Sequence, residues 1–150
     1  MNIALLTGRG ESVSLPNKNV VKILNRPIMS YPALMAKESK TIDDVYISTD
    51  GDKLIEVAEE MGIKIIKRPK ELARPDSQHK DAIIHALSWL NDNGIYPEII
   101  VVLLCNVGTH LPGTIDKCVN ILKKDPKIDS VVTIDERNEY HPLRAKKKNK

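Results

Sequence analysis

The sequence predicts a three-layer α/β/α fold: a mostly parallel sheet with helices on both faces. Three observations predict it. Short apolar runs of strand length alternate repeatedly with stretches of helical period. One run, EIIVVLLC at 98–105, is continuous in β-branched residues and leucine, as central parallel strands are. No linker, internal repeat or composition shift divides the chain, so its 150 residues suit one domain over 1–143, followed by a basic tail at 144–150.

The elements follow in order. NIALLT (2–7) has no polar face and predicts a strand buried on both sides. A polar loop runs to about residue 26, and IMSYPALMAKES (28–39) predicts a helix with Pro32 in its first turn, where a missing N–H costs little. DDVYIST (43–49) is the next strand. In 52–61, Leu54, Val57, Ala58 and Met61 share one helix face, and Gly62 is placed just past the helix end. IKIIKRP (63–69) predicts a third strand. A helix over 78–93 carries Ala82, Ile83, Ala86, Leu87 and Leu90 on one face, with Gly94 after it. Strand 98–105 comes next, and then a helix within 111–124 that turns Ile115, Cys118, Val119 and Leu122 inward. SVVTI (130–134) predicts a fifth strand. Ligands of such sheets bind beyond the carboxyl ends of the strands, which groups 8–19, 48–51, 105–110 and 135–144 as one candidate site.

Composition narrows the function. Apolar residues make up 41% and charged residues 29%, as in ordinary globular proteins, and no apolar run is long enough for a membrane span. The first residues lack the pattern of a signal peptide, so the expected location is the cytoplasm. The net charge is +3, but Arg144, Lys146, Lys147, Lys148 and Lys150 crowd the tail, which leaves the rest of the chain at −2. Aromatic residues are only 3% of the chain and Phe is absent, which argues against a base-stacking nucleic-acid surface. Cys105, Cys118 and the four histidines form no disulfide framework and no metal-ligand spacing.

GRGESVSLPNKN (8–19) follows the first strand. It matches neither GxxxxGK[ST] nor GxGxxG. It is long for a connection of this kind, typically ~2–6 residues, and it sets Arg9 and Lys18 at the mouth of the sheet. A solvated loop with its cations in water is the plain alternative to a polyanion site.

The same stretch resembles the signature of the acylneuraminate cytidylyltransferase family, the CMP-sugar synthetases, through Arg9, Gly10, Ser12, Pro16, Lys18 and Asn19. VYISTDGDKLIEVAEEMGIKIIKRPKELARPDS, AIIHAL and SVVTI…HPLR resemble later blocks of that family in order and spacing. The resemblance implies a Rossmann-like sheet of the nucleotide-diphospho-sugar transferase type, with the C-terminal part of the domain missing. It also implies transfer of CMP from CTP to a nonulosonic sugar acid of the sialic, legionaminic or pseudaminic type, with release of pyrophosphate and with Mg²⁺ balancing charge. By the same resemblance, Arg9 and Lys18 are the catalytic cations that hold the triphosphate. Gly8, Gly10, Ser12, Asn19, Arg68 and Ser77 join them in nucleotide binding, and Cys105, Asn106 and His141 fall at sugar-contacting positions. Val13 stands where the family keeps a lysine, and Cys105-Asn106 stands where it keeps Gln-Pro. The family's metal-binding aspartates and its dimer arm lie beyond the matching stretch, so metal ligands and oligomeric state are left open.

From the residues alone, Cys105 is a buried strand-end thiol rather than a nucleophile. Asp50 and Asp52 are a helix cap and a first-turn acid, and Asp135 is a loop acid. Two other functions stay open: a non-catalytic CTP- or sugar-nucleotide-binding relative, and a nucleic-acid module using the basic tail.

Overall fold

The computed structural model describes residues 1–12 and 15–134. Four parallel strands form the main sheet: β1 (Asn2–Thr7), β4 (Asp44–Thr49), β5 (Lys64–Lys67) and β6 (Ile99–Leu104), in the order β5-β4-β1-β6. Two short strands, β2 (Lys22–Ile23) and β3 (Arg26–Pro27), make an antiparallel hairpin in the first loop. The helices are α1 (Ser30–Glu38), α2 (Asp52–Glu60), α3 (His79–Asp92) and α4 (Thr114–Lys124). No helix among the described residues is long and apolar enough to cross a membrane.

The alternation of side chains along β1 explains the layers. Ile3 and Leu5 point to one face, where Tyr46, Ile66 and, from α3, Ala86 and Leu90 complete a buried cluster. Ala4 and Leu6 point to the other face, into a larger cluster with Ile47, Leu103, Ala33 and Ala36 of α1, Leu54 and Ala58 of α2, and Ile115 and Val119 of α4. Each fully buried leucine or isoleucine contributes roughly 1.5–3 kcal/mol. Asp116, in the first turn of α4, accepts hydrogen bonds from Ser39 Oγ, Thr41 Oγ1 and Thr41 N and so ties α4 to the end of α1. Those donors hold its carboxyl below the usual range.

The structure corrects four expectations. The first concerns 98–105, whose apolar run suggested a central strand. Among the described residues β6 pairs only with β1, and Val102 and Leu104 are left exposed. The central strand is β1, which is buried at every position. Second, residues 130–134 form no strand, and Ile134 is 92% exposed. An extended apolar segment becomes a strand only where a neighbour supplies hydrogen bonds, and none of the described residues does so here. Third, the first loop is not unbroken: it carries a 3-10 turn, Lys18–Val20, and the β2–β3 hairpin. Fourth, Asp50 does not cap α2. Gly51 is the N-cap residue and Asp52 is the first-turn acid, while Asp50 Oδ1 accepts from Gly10 N at 2.9 Å.

Gly62 and Gly94 both adopt positive φ just past their helices. The β2–β3 turn is less well served, because Leu24 and Asn25 sit at φ 48° and 64° and Leu24 is 86% exposed. Two-residue hairpin turns of this kind favour Asn-Gly, and a leucine there carries left-handed strain without a packing return. The double change Leu24→Asn, Asn25→Gly is expected to raise stability by about 0.5–1 kcal/mol, read as a higher urea midpoint at constant slope. A lower midpoint would show that Leu24 is held by packing.

Candidate functional site

The chain runs outward from β1 through β4 to β5, then crosses back on the other face through α3 to β6, on the far side of β1. The switch point of the sheet therefore lies between the carboxyl ends of β1 and β6, where open sheets of this kind bind ligands. A cavity of about 240 Å³ opens there. One wall is the loop after β1, with Arg9, Ser12 and Lys18. The opposite wall is the segment from β5 to α3, with Arg68, Leu72, Pro75, Ser77 and His79.

Two close approaches fix the β1 loop. A Cβ on Gly8 would lie 2.9 Å from Cys105 Sγ and 3.2 Å from Asn19 Nδ2. A Cβ on Gly10 would lie 2.5 Å from Gly51 Cα, and one on Gly51 would lie 2.4 Å from Gly10 Cα. Arg9 is thus bracketed by two positions that have no room for a side chain. Asn19, itself buried, donates from Nδ2 to the Arg9 carbonyl at 2.9 Å. The Arg9 side chain donates from Nη1 to the Arg74 carbonyl at 2.7 Å. Ser77 Oγ donates to the Glu71 carbonyl at 2.9 Å, which folds the opposite wall around its 3-10 turn, Lys70–Ala73.

Arg68 is the one buried cation among the described residues, 5% exposed. Its Nη2 donates to the Ser48 carbonyl at 2.6 Å and its Nε to Ser48 Oγ at 3.2 Å. Burial lowers its pKa; nearby Asp50 and Cys105 oppose that shift and Arg9 adds to it. Cys105 is fully buried, and burial pushes its thiol up to about 12, which leaves it protonated and inert as a nucleophile.

Gly8, Arg9, Ser12, Lys18, Asn19, Arg68, Ser77 and Asn106 all line this one cavity. Gly10 does not. It borders a wider cavity of about 740 Å³ on the other side of the loop, with Asp50, Lys53, Lys67, Lys70 and Arg74. Cys105 lies behind Gly8, in the core rather than on the cavity wall. His141, Asp135 and the basic tail are outside the described residues. A metal set is not evident: no group of three His, Cys, Asp or Glu side chains suited to a metal occurs among the described residues. Among the described residues Glu11 is the only carboxylate on the 240 Å³ cavity's wall, and Asp50 Oδ1 is engaged by Gly10. These residues do not fit a Mg²⁺ site.

Two cavity residues escape a reading of the sequence. Thr7 ends β1 and His79 begins α3, and Thr7 Oγ1 lies 2.8 Å from His79 Nε2. The residues are 72 positions apart, so no local motif joins them. The available signal was a histidine at the predicted start of a helix beside Ser77.

A model of the cytidylyltransferase family matches residues 3–136. The chain is 32% identical over 90 residues to the N-acylneuraminate cytidylyltransferase of Escherichia coli O18:K1:H7, an alignment covering 60% of this chain and 22% of that protein. It is 31% identical over 100 residues to the pseudaminic acid cytidylyltransferase of Campylobacter jejuni, covering 65% of this chain and 43% of that protein. The chain therefore spans less than half the length of these relatives. Two solved structures share its fold. A CMP:2-keto-3-deoxy-manno-octonic acid synthetase complexed with CTP aligns with a TM-score of 0.71 at 16% identity, over 83% of this chain and 48% of that one. A cytidylyltransferase from Leptospira borgpetersenii aligns at 0.65 and 21% identity, over 83% and 49%.

Two outcomes test this geometry. Gly51 has φ −93° and ψ 121°, which alanine adopts freely, so any cost of Gly51→Ala is steric. The added methyl meets backbone rather than a yielding side chain, and a loss of about 2–3 kcal/mol is expected in urea unfolding; an unchanged midpoint would refute the close approach. For His79, burial and the charge of Arg68 both lower the imidazole pKa. The folded state therefore resists protonation. The stability contribution is complete above the unfolded value of about 6.5 and declines as pH falls through it toward the folded value. An NMR titration of His79 is expected to have its midpoint below 6.5, and a midpoint above it would overturn the assigned surroundings.

Proposed function

The chain belongs to the cytidylyltransferase family, and we propose that it carries the nucleotide-binding part of an enzyme that transfers CMP from CTP to a nonulosonic sugar acid. The observation that carries this reading is the convergence of Arg9, Lys18 and Arg68 on one cavity at the switch point of the sheet. Among the described residues, three cations and one carboxylate, Glu11, line it, which suits a polyanion far better than a neutral ligand. The relatives named above act on sialic-type and pseudaminic acids, which supplies the acceptor class.

In the proposed reaction the sugar hydroxyl oxygen forms a bond to the α-phosphorus of CTP. The bond from that phosphorus to the bridging oxygen breaks, pyrophosphate leaves with the electron pair, and the hydroxyl proton passes to solvent. Such a transfer needs positioning and charge stabilisation more than covalent help. Lys18 and the guanidinium of Arg9 hold the triphosphate, and Arg68 adds a fixed charge from below. Gly8, Gly10 and Asn19 shape and hold the loop that presents Arg9, and Ser12, Ser77 and Asn106 complete the polar wall. A divalent metal would supply charge neutralisation at the triphosphate, and the described residues assign it no ligand. We place the reaction in the cytoplasm, where CTP is made.

Pyrophosphate release from CTP and Mg²⁺, measured across sialic, legionaminic and pseudaminic acids, tests the reading. Release with at least one acid is expected. Absence of release across the panel, with CTP still raising the melting temperature, would leave a binding module instead. Arg9→Ala is expected to weaken CTP binding by roughly 10–100-fold, because a charge-assisted contact of ~1.5–3 kcal/mol is lost. An unchanged dissociation constant would remove Arg9 from the phosphate site.

A further inference from the structure

The wider cavity, about 740 Å³, lies on the other side of the β1 loop from the one that Arg9, Lys18 and Arg68 line. Glu11, Asn19 and Pro75 border both spaces and belong to the partition between them. Four cations reach this second cavity from two stretches of chain. Lys53 stands in the first turn of α2. Lys67, Lys70 and Arg74 follow one another from the end of β5 through the 3-10 turn to the residue that closes it.

None of these four side chains has a hydrogen bond or an ion pair with another described residue. Two lysines elsewhere on the surface do find partners: Lys64 pairs with Asp44 at 2.7 Å, and Lys37 donates to the Met61 carbonyl at 2.6 Å. Acids are not lacking at the second cavity, for Glu11, Asp50 and Asp52 border it as well. Two of the three are already employed. Asp50 Oδ1 accepts from Gly10 N, and its charge bears on Arg68. Asp52 is the first-turn acid of α2, where a negative charge is favoured. The acids are thus largely committed to the fold and the four cations are not. Like charges gathered round one concavity repel one another and concentrate anions there.

We propose that this second cavity is a binding site for a free phosphate-class anion of pyrophosphate size, held by Lys53, Lys67, Lys70 and Arg74. Cations spread round so wide a space match an anion charged at both ends better than a single phosphate. Lysine suits the role, because its ammonium is a compact point charge on a flexible stem. The site shares no cation with the nucleotide cavity, so it stands independently of the nucleotide-binding reading. The two cavities are nonetheless linked. The Arg74 carbonyl holds Arg9 Nη1 at 2.7 Å, so an anion drawn against Arg74 bears on the segment that holds Arg9.

The test is calorimetric titration of the full chain with inorganic pyrophosphate and with inorganic phosphate, without added metal and at about 0.1 M salt. Thermal melts confirm that each variant folds. The double variant Arg9→Ala, Lys18→Ala strips the first cavity of its loop cations and is expected to keep a pyrophosphate site. In that background, adding Lys67→Ala and Lys70→Ala is expected to weaken the remaining site at least about tenfold, through the loss of two charge-assisted contacts. Adding Lys123→Ala and Lys124→Ala instead removes the same charge from the last turn of α4 and is expected to leave the affinity within about twofold. Phosphate is expected to bind more weakly than pyrophosphate at the same site. No pyrophosphate binding once Arg9 and Lys18 are removed would overturn the proposal. An equal loss from the α4 lysines would overturn it too, by showing diffuse attraction to a basic surface. Phosphate binding as tightly as pyrophosphate would overturn the two-ended anion. CTP binding is read separately, and its failure would bear on the first cavity alone.

Discussion

The contact on which the site depends is between backbones: Gly10 lies against Gly51, with a separation that leaves no room for a Cβ on either residue. It brings the loop after β1 down onto the loop after β4, and Asp50 Oδ1 locks it by accepting from Gly10 N. Two residues earlier, Gly8 passes Cys105 and Asn19 with similarly little clearance. The short segment between these two points contains Arg9. A half-buried side chain, its guanidinium held on the Arg74 carbonyl, is thus presented from a backbone flanked by two close approaches.

The same constraint sets the relation between fold and site. β1 can sit at the centre of the sheet because its interior side chains are apolar and the polar ones at its two ends bond to other segments, Asn2 to the Thr41 carbonyl and Thr7 to His79. From there the chain must leave the sheet at the switch point, and the flanking strands contribute one wall each. The last but one residue of β4 is Ser48, whose carbonyl and hydroxyl hold Arg68 and whose carbonyl also receives Gly8 N. β6 ends in Leu104, followed by Asn106 on the cavity wall. The site is a consequence of strand order, since Arg68, Arg9 and Asn106 come from three separate crossovers.

Much of the fold was legible in the sequence because it rests on periodicity. NIALLT, DDVYIST and the helix beginning at Asp52 each carry a pattern that only one backbone geometry can bury. The failures share one cause: pattern reports what a segment would bury but not which neighbour it meets. Among the described residues, the run at 98–105 has the composition of a central strand yet pairs on one side only, and 130–134 has the composition of a strand yet meets no pairing partner. The β2–β3 hairpin was missed because Leu24-Asn25 is a poor turn sequence, formed here at the expense of left-handed strain. Asp50 was misassigned because capping is a local inference, whereas its real partner, Gly10, is 40 residues away. Of the site, the motif residues were visible through their spacing, but the Thr7–His79 pair was not, since only the fold brings the two together.

The electrostatics of the cavity follow from the same packing. Arg68 is buried where desolvation and Arg9 both disfavour its charge, and His79 is pushed toward its neutral form by burial and by Arg68. Arg9 disfavours the charge of Arg68 and Arg68 that of His79, while Asp50 offsets the first and, among the described residues, Glu11 is the acid on the cavity wall. Such a cluster is costly in the free protein and is retained only because packing gives it no route of escape: Ser48 holds Arg68 from two sides, and Asn19 and the two glycines hold the backbone of Arg9. An anion in the cavity would offset this mutual repulsion and also gain direct contacts.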